Sequence, residues 1–245
     1  MGYFGDQEGI MRRYIREIDQ WKSHLENTRK AILKFASNKR KNKVAILGSG
    51  WLLDVPLNEL SETFKEVWLF DIKHPSPVYR KAQKLGNVRL VETDVSGFAV
   101  PVFGLVKNSK KSGSKLDVNS LSPKFDFNLE GFDVVVSCNI LNQLDIILID
   151  YLKKECKISA SDESQLRRLI QETHMNLLPK NKSCLISDVE EQWVDSDGQI
   201  QQQKSLVYTD KLSANMKESW IWHFDNYFTY NTKYKTWFNV ICIDC

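Results

Sequence analysis

The chemical content of this sequence is concentrated at four places. Gly48-Ser49-Gly50 follows the apolar run Val44–Leu47. A G-x-G at the end of a strand lets backbone lie directly against a ligand, although a tight strand-to-helix turn uses the same residues. "EVWLFDI" closes on Asp71 and Ile72, and Asp71 stands 21 residues after Gly50. "LVETDVSG" places Asp94 and Val95 just beyond another β-type run, and "VVVSCNIL" ends in Ser137, Cys138 and Asn139. Each acid has a structural alternative, as a helix cap or an Asx turn. Cys138 reads either as a nucleophile or as a buried thiol at a strand end, the latter being the default. His174 and His223 are candidate bases by residue type alone.

These residues need a scaffold that brings strand ends together, and the order of apolar patterns supplies one. Residues 8–38 carry Met11, Tyr14, Ile18, Trp21, Leu25, Ile32 and Phe35 at steps of three, four or seven, which predicts one long amphipathic helix. Short strands are expected at 44–47, 66–72, 87–95, 131–141 and 182–191, with helices over 52–64, 78–86, 141–155 and 162–178. Pro56 must sit in the first turn of its helix or break it. Residues 105–124 are polar and hold Lys107, Lys110, Lys111, Lys115 and Lys124, which predicts a surface loop or a lid. "SWIWHF" (219–224) and "TWFNVICI" (236–243) are two further strands with too little chain between them for a crossover helix, so they form an antiparallel hairpin. The expected fold is therefore α/β: a doubly wound, mostly parallel sheet of seven strands whose last hairpin is antiparallel, with an extra N-terminal helix. Residues 1–42 form that helix, packed on a body at 43–245 that carries a polar insertion at about 105–125.

The totals agree with a single α/β unit. At 245 residues, 42% hydrophobic and 27% charged, the chain can bury a real core and is not a disordered sequence. Residues 1–43 hold 11 Lys and Arg against 5 acids, so this segment is +6 in a chain whose net charge is +3. Such a leading segment can attract an anionic partner, or it can be the solvated face of a helix. Met1–Ile10 carries no apolar core of a signal peptide, no run is long enough to span a membrane, and the five cysteines are odd in number and irregularly spaced. These features predict a cytoplasmic protein with reduced thiols and no membrane partner. Cys242 and Cys245 have C-x-x-C spacing without a second pair, so no metal site is assigned.

The ligand that Gly48–Gly50 could serve is narrowed by what is missing. A triphosphate loop needs G-x-x-x-x-G-K-[ST], and no Lys-Ser/Thr pair follows here. A dinucleotide fingerprint needs a third glycine where this chain has Leu53. The remaining class is S-adenosylmethionine, which has no pyrophosphate. Over residues 43–245 the order and spacing of "ILGSGWLL", "VWLFDI", "LVETDVSG" and "VVVSCNILNQL" resemble the class I S-adenosylmethionine-dependent methyltransferase superfamily. That resemblance implies a Rossmann-like domain using S-adenosylmethionine and assigns Gly48, Ser49, Gly50, Asp71, Ile72, Asp94, Val95, Cys138 and Asn139 to its binding. Gly48 and Gly50 would lie under the amino-acid part, Asp71 would take the ribose hydroxyls, and Asp94 would take the adenine amino group. Residues 137–139 would stand where the methyl group meets its acceptor.

The chain departs from the superfamily pattern beside the glycines. Ile46 and Leu47 stand where an acid more often precedes the first Gly, and Asp54 lies four residues beyond Gly50. No motif names the acceptor and no catalytic residue is assigned. Asp188, Glu190 and Glu191 could face the acceptor, and Trp21 and His24 could cover the pocket. The acceptor is a small molecule or, given the basic helix and the Lys-rich stretch, an anionic macromolecule such as RNA. Two other readings stay open: a non-catalytic methyltransferase-like binding or assembly module, and an NAD-linked oxidoreductase, for which no Tyr-x-x-x-Lys is visible. Nothing in the sequence sets the oligomeric state.

Overall fold

The computed structural model of the protein describes residues 3–113, 116–212 and 216–245. Ser114 and Lys115, within the expected polar insertion, lie outside the described residues. Two helices lead the chain, α1 (Tyr3–Arg16) and α2 (Ile18–Ser37). Then come β1 (Lys43–Leu47), α3 (Leu57–Thr63), β2 (Glu66–Asp71), α4 (Ser76–Leu85), β3 (Val88–Glu92), α5 (Ala99–Ser112) and β4 (Val134–Cys138). The chain closes with α6 (Ile146–Glu155), α7 (Ala160–Leu177), β5 (Ser183–Val194), β6 (Ile200–Ser205), β7 (Met216–Asp225) and β8 (Lys235–Asp244).

The sheet runs β3-β2-β1-β4-β5-β8-β7. Neighbours from β3 to β5 are parallel, with Leu47 opposite both Phe70 and Ser137. β8 is antiparallel to both β5 and β7. The doubly wound sheet with an antiparallel closing hairpin is thus the fold that the sequence predicts. Apolar runs make the central strands: β1 and β4 are buried on both faces, as parallel strands covered by helices must be. Ile46, Val67, Val136 and Ile186 face a core shared with α2, α3 and α4. Ala45, Phe70, Val135 and Leu185 face the opposite core, and α5, α6 and α7 pack together on a third cluster.

Four expectations are corrected. The leading helix is two helices, broken at Glu17, and Ile18 of the expected apolar stripe is half exposed. Glu17 is 1% exposed, and its carboxylate accepts the Asn226 N–H at 3.2 Å, so a tertiary partner interrupts a continuous helical pattern. The helix expected from Leu52 begins only at Leu57, because Leu52 takes a φ of 60° and Pro56 sits at the N-cap. The first half of the stretch expected as a polar loop is α5, which buries Val102 and Val106. Finally, β5 runs on to Val194, and the turn at Asp195–Gly198 connects it to an eighth strand, β6, which pairs with its outer half beside the seven-strand path.

The core also holds polar groups that tie layers together. His174 on α7 is fully buried, and its Nε2 lies 2.8 Å from the Ser137 hydroxyl on β4. Burial holds this imidazole neutral and lowers its pKa from 6.5 to about 4. The unfolded chain then binds the extra proton first. The contribution of His174 is complete above pH 6.5 and is lost as the pH falls toward 4. The loss over that window is about 3 kcal/mol. Urea unfolding of the wild type and His174→Gln across it should show the wild type losing about that much more stability on acidification. Parallel pH profiles would contradict the assignment.

Candidate functional site

The C-terminal ends of β1, β2, β3 and β4 surround a cleft of about 220 Å³. It lies where the strand order reverses between β1 and β4, the place at which open α/β sheets take ligands. All nine residues singled out for cofactor binding line it: Gly48, Ser49 and Gly50 after β1, Asp71 and Ile72 after β2, Asp94 and Val95 after β3, and Cys138 and Asn139 at the end of β4. α1, α2 and β7 close the other side with Ile10, Trp21, His24, Leu25 and Trp222.

The floor is a turn clamped from two directions. Gly48 adopts φ 81°, and a Cβ there would meet Ile140 Cγ2 at 2.0 Å and the Cys138 carbonyl at 2.9 Å. This glycine is therefore required by the chain's own packing against the end of β4. Gly50 has φ 45° and open space where a Cβ would stand. The backbone donors of the turn are committed internally: Gly48 N–H and Ser49 N–H both reach the Phe70 carbonyl, at 2.9 and 3.4 Å. Gly50 N–H donates to Asp71 Oδ2 at 2.7 Å. No helix starts here either, since α3 begins seven residues after Gly50. The turn thus offers neither a nest of free N–H groups nor a helix dipole, the two devices that hold a phosphate.

Charge in the cleft has one sign. Asp54, Asp71 and Asp94 line it, and no Lys or Arg does among the described residues. Burial raises the carboxyl pKa of Asp71, an effect opposed by the hydrogen bond from Gly50. Burial likewise raises that of Asp54, opposed by the Asn139 amide, which donates to Asp54 Oδ2 at 2.6 Å. Asp94 is engaged differently. One oxygen accepts Ser96 N–H and Oγ–H at 2.9 and 2.6 Å, and the other accepts Ala99 N–H at 2.7 Å. It closes the Asx turn that starts α5 while standing in the cleft wall.

The aromatic wall is rigid. Trp21 packs edge-on against Trp222 and stacks on Phe224, and its Nε1–H donates to the Phe224 carbonyl at 2.9 Å. His24 stacks on Trp222 with ring centroids 4.0 Å apart. Its Nδ1 accepts Trp220 Nε1–H at 3.1 Å, which leaves the neutral ring's proton on Nε2. Burial depresses its pKa to about 3, so His24 is a neutral donor and no proton acceptor at physiological pH.

Several sequence candidates lie elsewhere. His174 is behind β4, and His223 on β7 packs on Trp237 of β8. Asp188 binds the Asn142 amide at 2.7 Å, and Glu191 accepts from Trp193. None of the four lines the cleft. The Cys138 thiol does line it, but burial pushes its pKa well up, so it stays protonated. Asp54 and Trp222 are lining residues that the sequence reading did not assign. The acid beyond Gly50 was a visible signal for Asp54; Trp222 reaches the cleft only through the hairpin, which no local pattern shows.

No family model matches the chain, and no curated protein matches it. Among solved structures, the chain is similar to 1,6-didemethyltoxoflavin-N1-methyltransferase of Burkholderia thailandensis with bound 1,6-didemethyltoxoflavin and S-adenosylhomocysteine. That match has 11% identity and a TM-score of 0.46 and covers 98% of this chain and 87% of that one. It is also similar to the N-methyltransferase NodS of Bradyrhizobium japonicum in complex with S-adenosylhomocysteine, at 10% identity and a TM-score of 0.42 over 96% and 97% of the two chains. At these values the likenesses bear no functional weight, and the reading that follows rests on the cleft itself.

The clamp at Gly48 separates packing from ligand contact. Gly48→Ala should lower the free energy of unfolding by more than about 3 kcal/mol, because strain and overlap with Ile140 add. Gly50→Ala should lower it by only about 1 kcal/mol. Denaturant unfolding of the two variants checks this, and equal losses would contradict it.

Proposed function

We propose that the protein is an S-adenosylmethionine-dependent methyltransferase, with the cofactor in the β1–β4 cleft. The observation that carries the reading is electrostatic. A cleft lined by three carboxylates, without a Lys or Arg among the described residues and with its turn N–H groups already committed, repels a pyrophosphate and attracts a cation. S-adenosylmethionine carries a sulfonium and an ammonium against a single carboxylate. NAD brings a pyrophosphate, and the same observation counts against that reading.

Within this reading Asp71 takes the ribose hydroxyls, with Ile72 beside the sugar, and Val95 and Ile147 pack on the base. Asp94 meets the adenine amino group with lone pairs left by its Asx turn. Methyl transfer is an in-line displacement at the sulfonium methyl carbon, and alignment of donor and acceptor supplies much of the rate. His24, Trp21 and Trp222 shape the wall and exclude water. Among the described residues His24 is the one histidine that lines the cleft, and its depressed pKa makes it no general base at neutral pH, which favours acceptors that attack without one.

A small-molecule acceptor fits better than RNA. Much of the leading segment's basic charge is committed to the protein: Arg13 stacks over Phe224 and Tyr230, Arg29 donates to the Leu53 carbonyl, Lys34 pairs with Glu218, and Lys43 pairs with Glu66. The five cysteines, all free, fit the reducing cytoplasm. Among the described residues no helix is long and apolar enough to cross a membrane.

Isothermal titration tests the reading. The wild type should bind S-adenosylmethionine and S-adenosylhomocysteine but not NAD, and Asp71→Ala should weaken both by at least about tenfold, or about 1.4 kcal/mol. Binding of NAD in preference, or unchanged affinity in the variant, would overturn it.

A further inference from the structure

The cleft is narrow for a ligand pocket. Its volume of about 220 Å³ falls short of the roughly 300 Å³ at which sites for small organic ligands begin, so part of its wall has to yield. The strands and the Trp21–Trp222 wall are fixed by the core. α1 closes the wall with Ile10, and it ends at Glu17, where the helical run breaks before α2.

What fastens α1 at that break is a pair of acids. Glu17 is 1% exposed, and Asp225 at the end of β7 is fully buried. Their carboxyl groups are hydrogen-bonded to each other, which two oxygens can do only around a shared proton. The other partners show which residue holds it. Asp225 Oδ1 accepts the Thr229 hydroxyl at 2.7 Å, and Oδ2 accepts the Thr229 and Tyr230 N–H groups, each at 2.7 Å. Those are the surroundings of an ionised group. Glu17 Oε2 accepts the Asn226 N–H at 3.2 Å, whereas the buried Oε1 receives no donor. The proton therefore resides on Glu17 Oε1. Burial raises the Glu17 pKa above its ordinary 4.5, in the same sense. Burial alone would raise that of Asp225 too, but its donors outweigh it and the value is lowered.

The charges around the pair do not replace the proton. Arg16 Nε lies 3.7 Å from Glu17 Oε1 and its Nη2 lies 3.9 Å from Asp225 Oδ1, beyond hydrogen-bond reach, and Nη2 donates to the Thr229 hydroxyl. Arg13 stacks over Phe224 and Tyr230. From β5, Glu191 and Asp188 set further negative charge beside Tyr230.

We infer that Glu17 and Asp225 form a proton-operated latch: while they share the proton α1 lies closed on the cleft, and its loss sets two buried like charges against each other and releases α1. The inference concerns access to the cleft and holds whatever ligand the cleft takes. The sign follows from the proton's position. The closed state binds it more tightly than a solvated glutamate does, so closure is complete on the acid side and is lost as the pH rises above 4.5 through the raised pKa.

Hydrogen–deuterium exchange of the full chain without ligand, corrected for the intrinsic pH dependence of exchange, reads α1 directly. From about pH 5.5 to about pH 8.5 the protection of residues 8–16 should fall at least about tenfold in the wild type, while that of α2 stays within about twofold. Glu17→Gln keeps a neutral donor at the hinge, and Asp225→Asn leaves the pair a single charge. In both variants the protection of residues 8–16 should stay within about twofold over the same range, with α2 reporting that the body is folded. Wild-type protection of α1 that does not change with pH would overturn the latch. So would a folded variant that loses protection as the wild type does, or a parallel loss in α1 and α2, which marks global opening.

Discussion

The structure depends on a backbone that has no room to move at Gly48. The residue is pressed beneath Ile140 and the Cys138 carbonyl, while its N–H and that of Ser49 hang from the Phe70 carbonyl near the end of β2. One residue on, Gly50 is bound by the Asp71 carboxylate. Three adjacent parallel strands are thereby joined at their C-terminal ends by contacts among a few atoms. Because β1 and β4 are buried on both faces, any shift of this turn would have to be matched by the core. The cleft floor is consequently set before a ligand arrives, and so are the positions of Asp71 and Asn139 at its two sides.

That arrangement has a chemical consequence. The N–H groups that make glycine turns into phosphate sites are used here to hold the turn itself. What remains to face the cleft is carboxylate on one side and aromatic surface on the other. The aromatic wall comes from parts of the chain that are far apart in sequence, α2 and β7, joined through Trp21, His24, Trp222 and Phe224. Burial pushes the carboxyl pKa values of Asp54 and Asp71 upward and that of His24 downward. A desolvated carboxylate is stabilised by a partner that brings positive charge, which is the basis of the proposed reading.

Much of the arrangement was legible in the sequence, for a clear reason. Parallel strands buried on both faces are continuous apolar runs, and the residues that follow them stand at the ligand edge of the sheet. Val44–Leu47 and Val134–Val136 locate that edge, and the nine residues taken from it all reach the cleft. What could not be read depended on tertiary partners. Glu17 interrupts a sound helical stripe because Asn226, over two hundred positions away, captures its carboxylate. α5 is masked by its lysines, since Val102 and Val106 alone mark its buried face. β6 is exposed at every position and has no apolar alternation, so only its pairing with the end of β5 makes it a strand. Asp54 was visible as an acid, but its partnership with Asn139 required the fold.

The most direct measurement is a crystal structure of the full chain soaked with S-adenosylhomocysteine. The account predicts the ligand across the ends of β1, β2 and β4, its ribose hydroxyls on Asp71 and its adenine beside Asp94 and Val95. A cleft that stays empty at saturating ligand, or a nucleoside bound elsewhere on the protein, would contradict it.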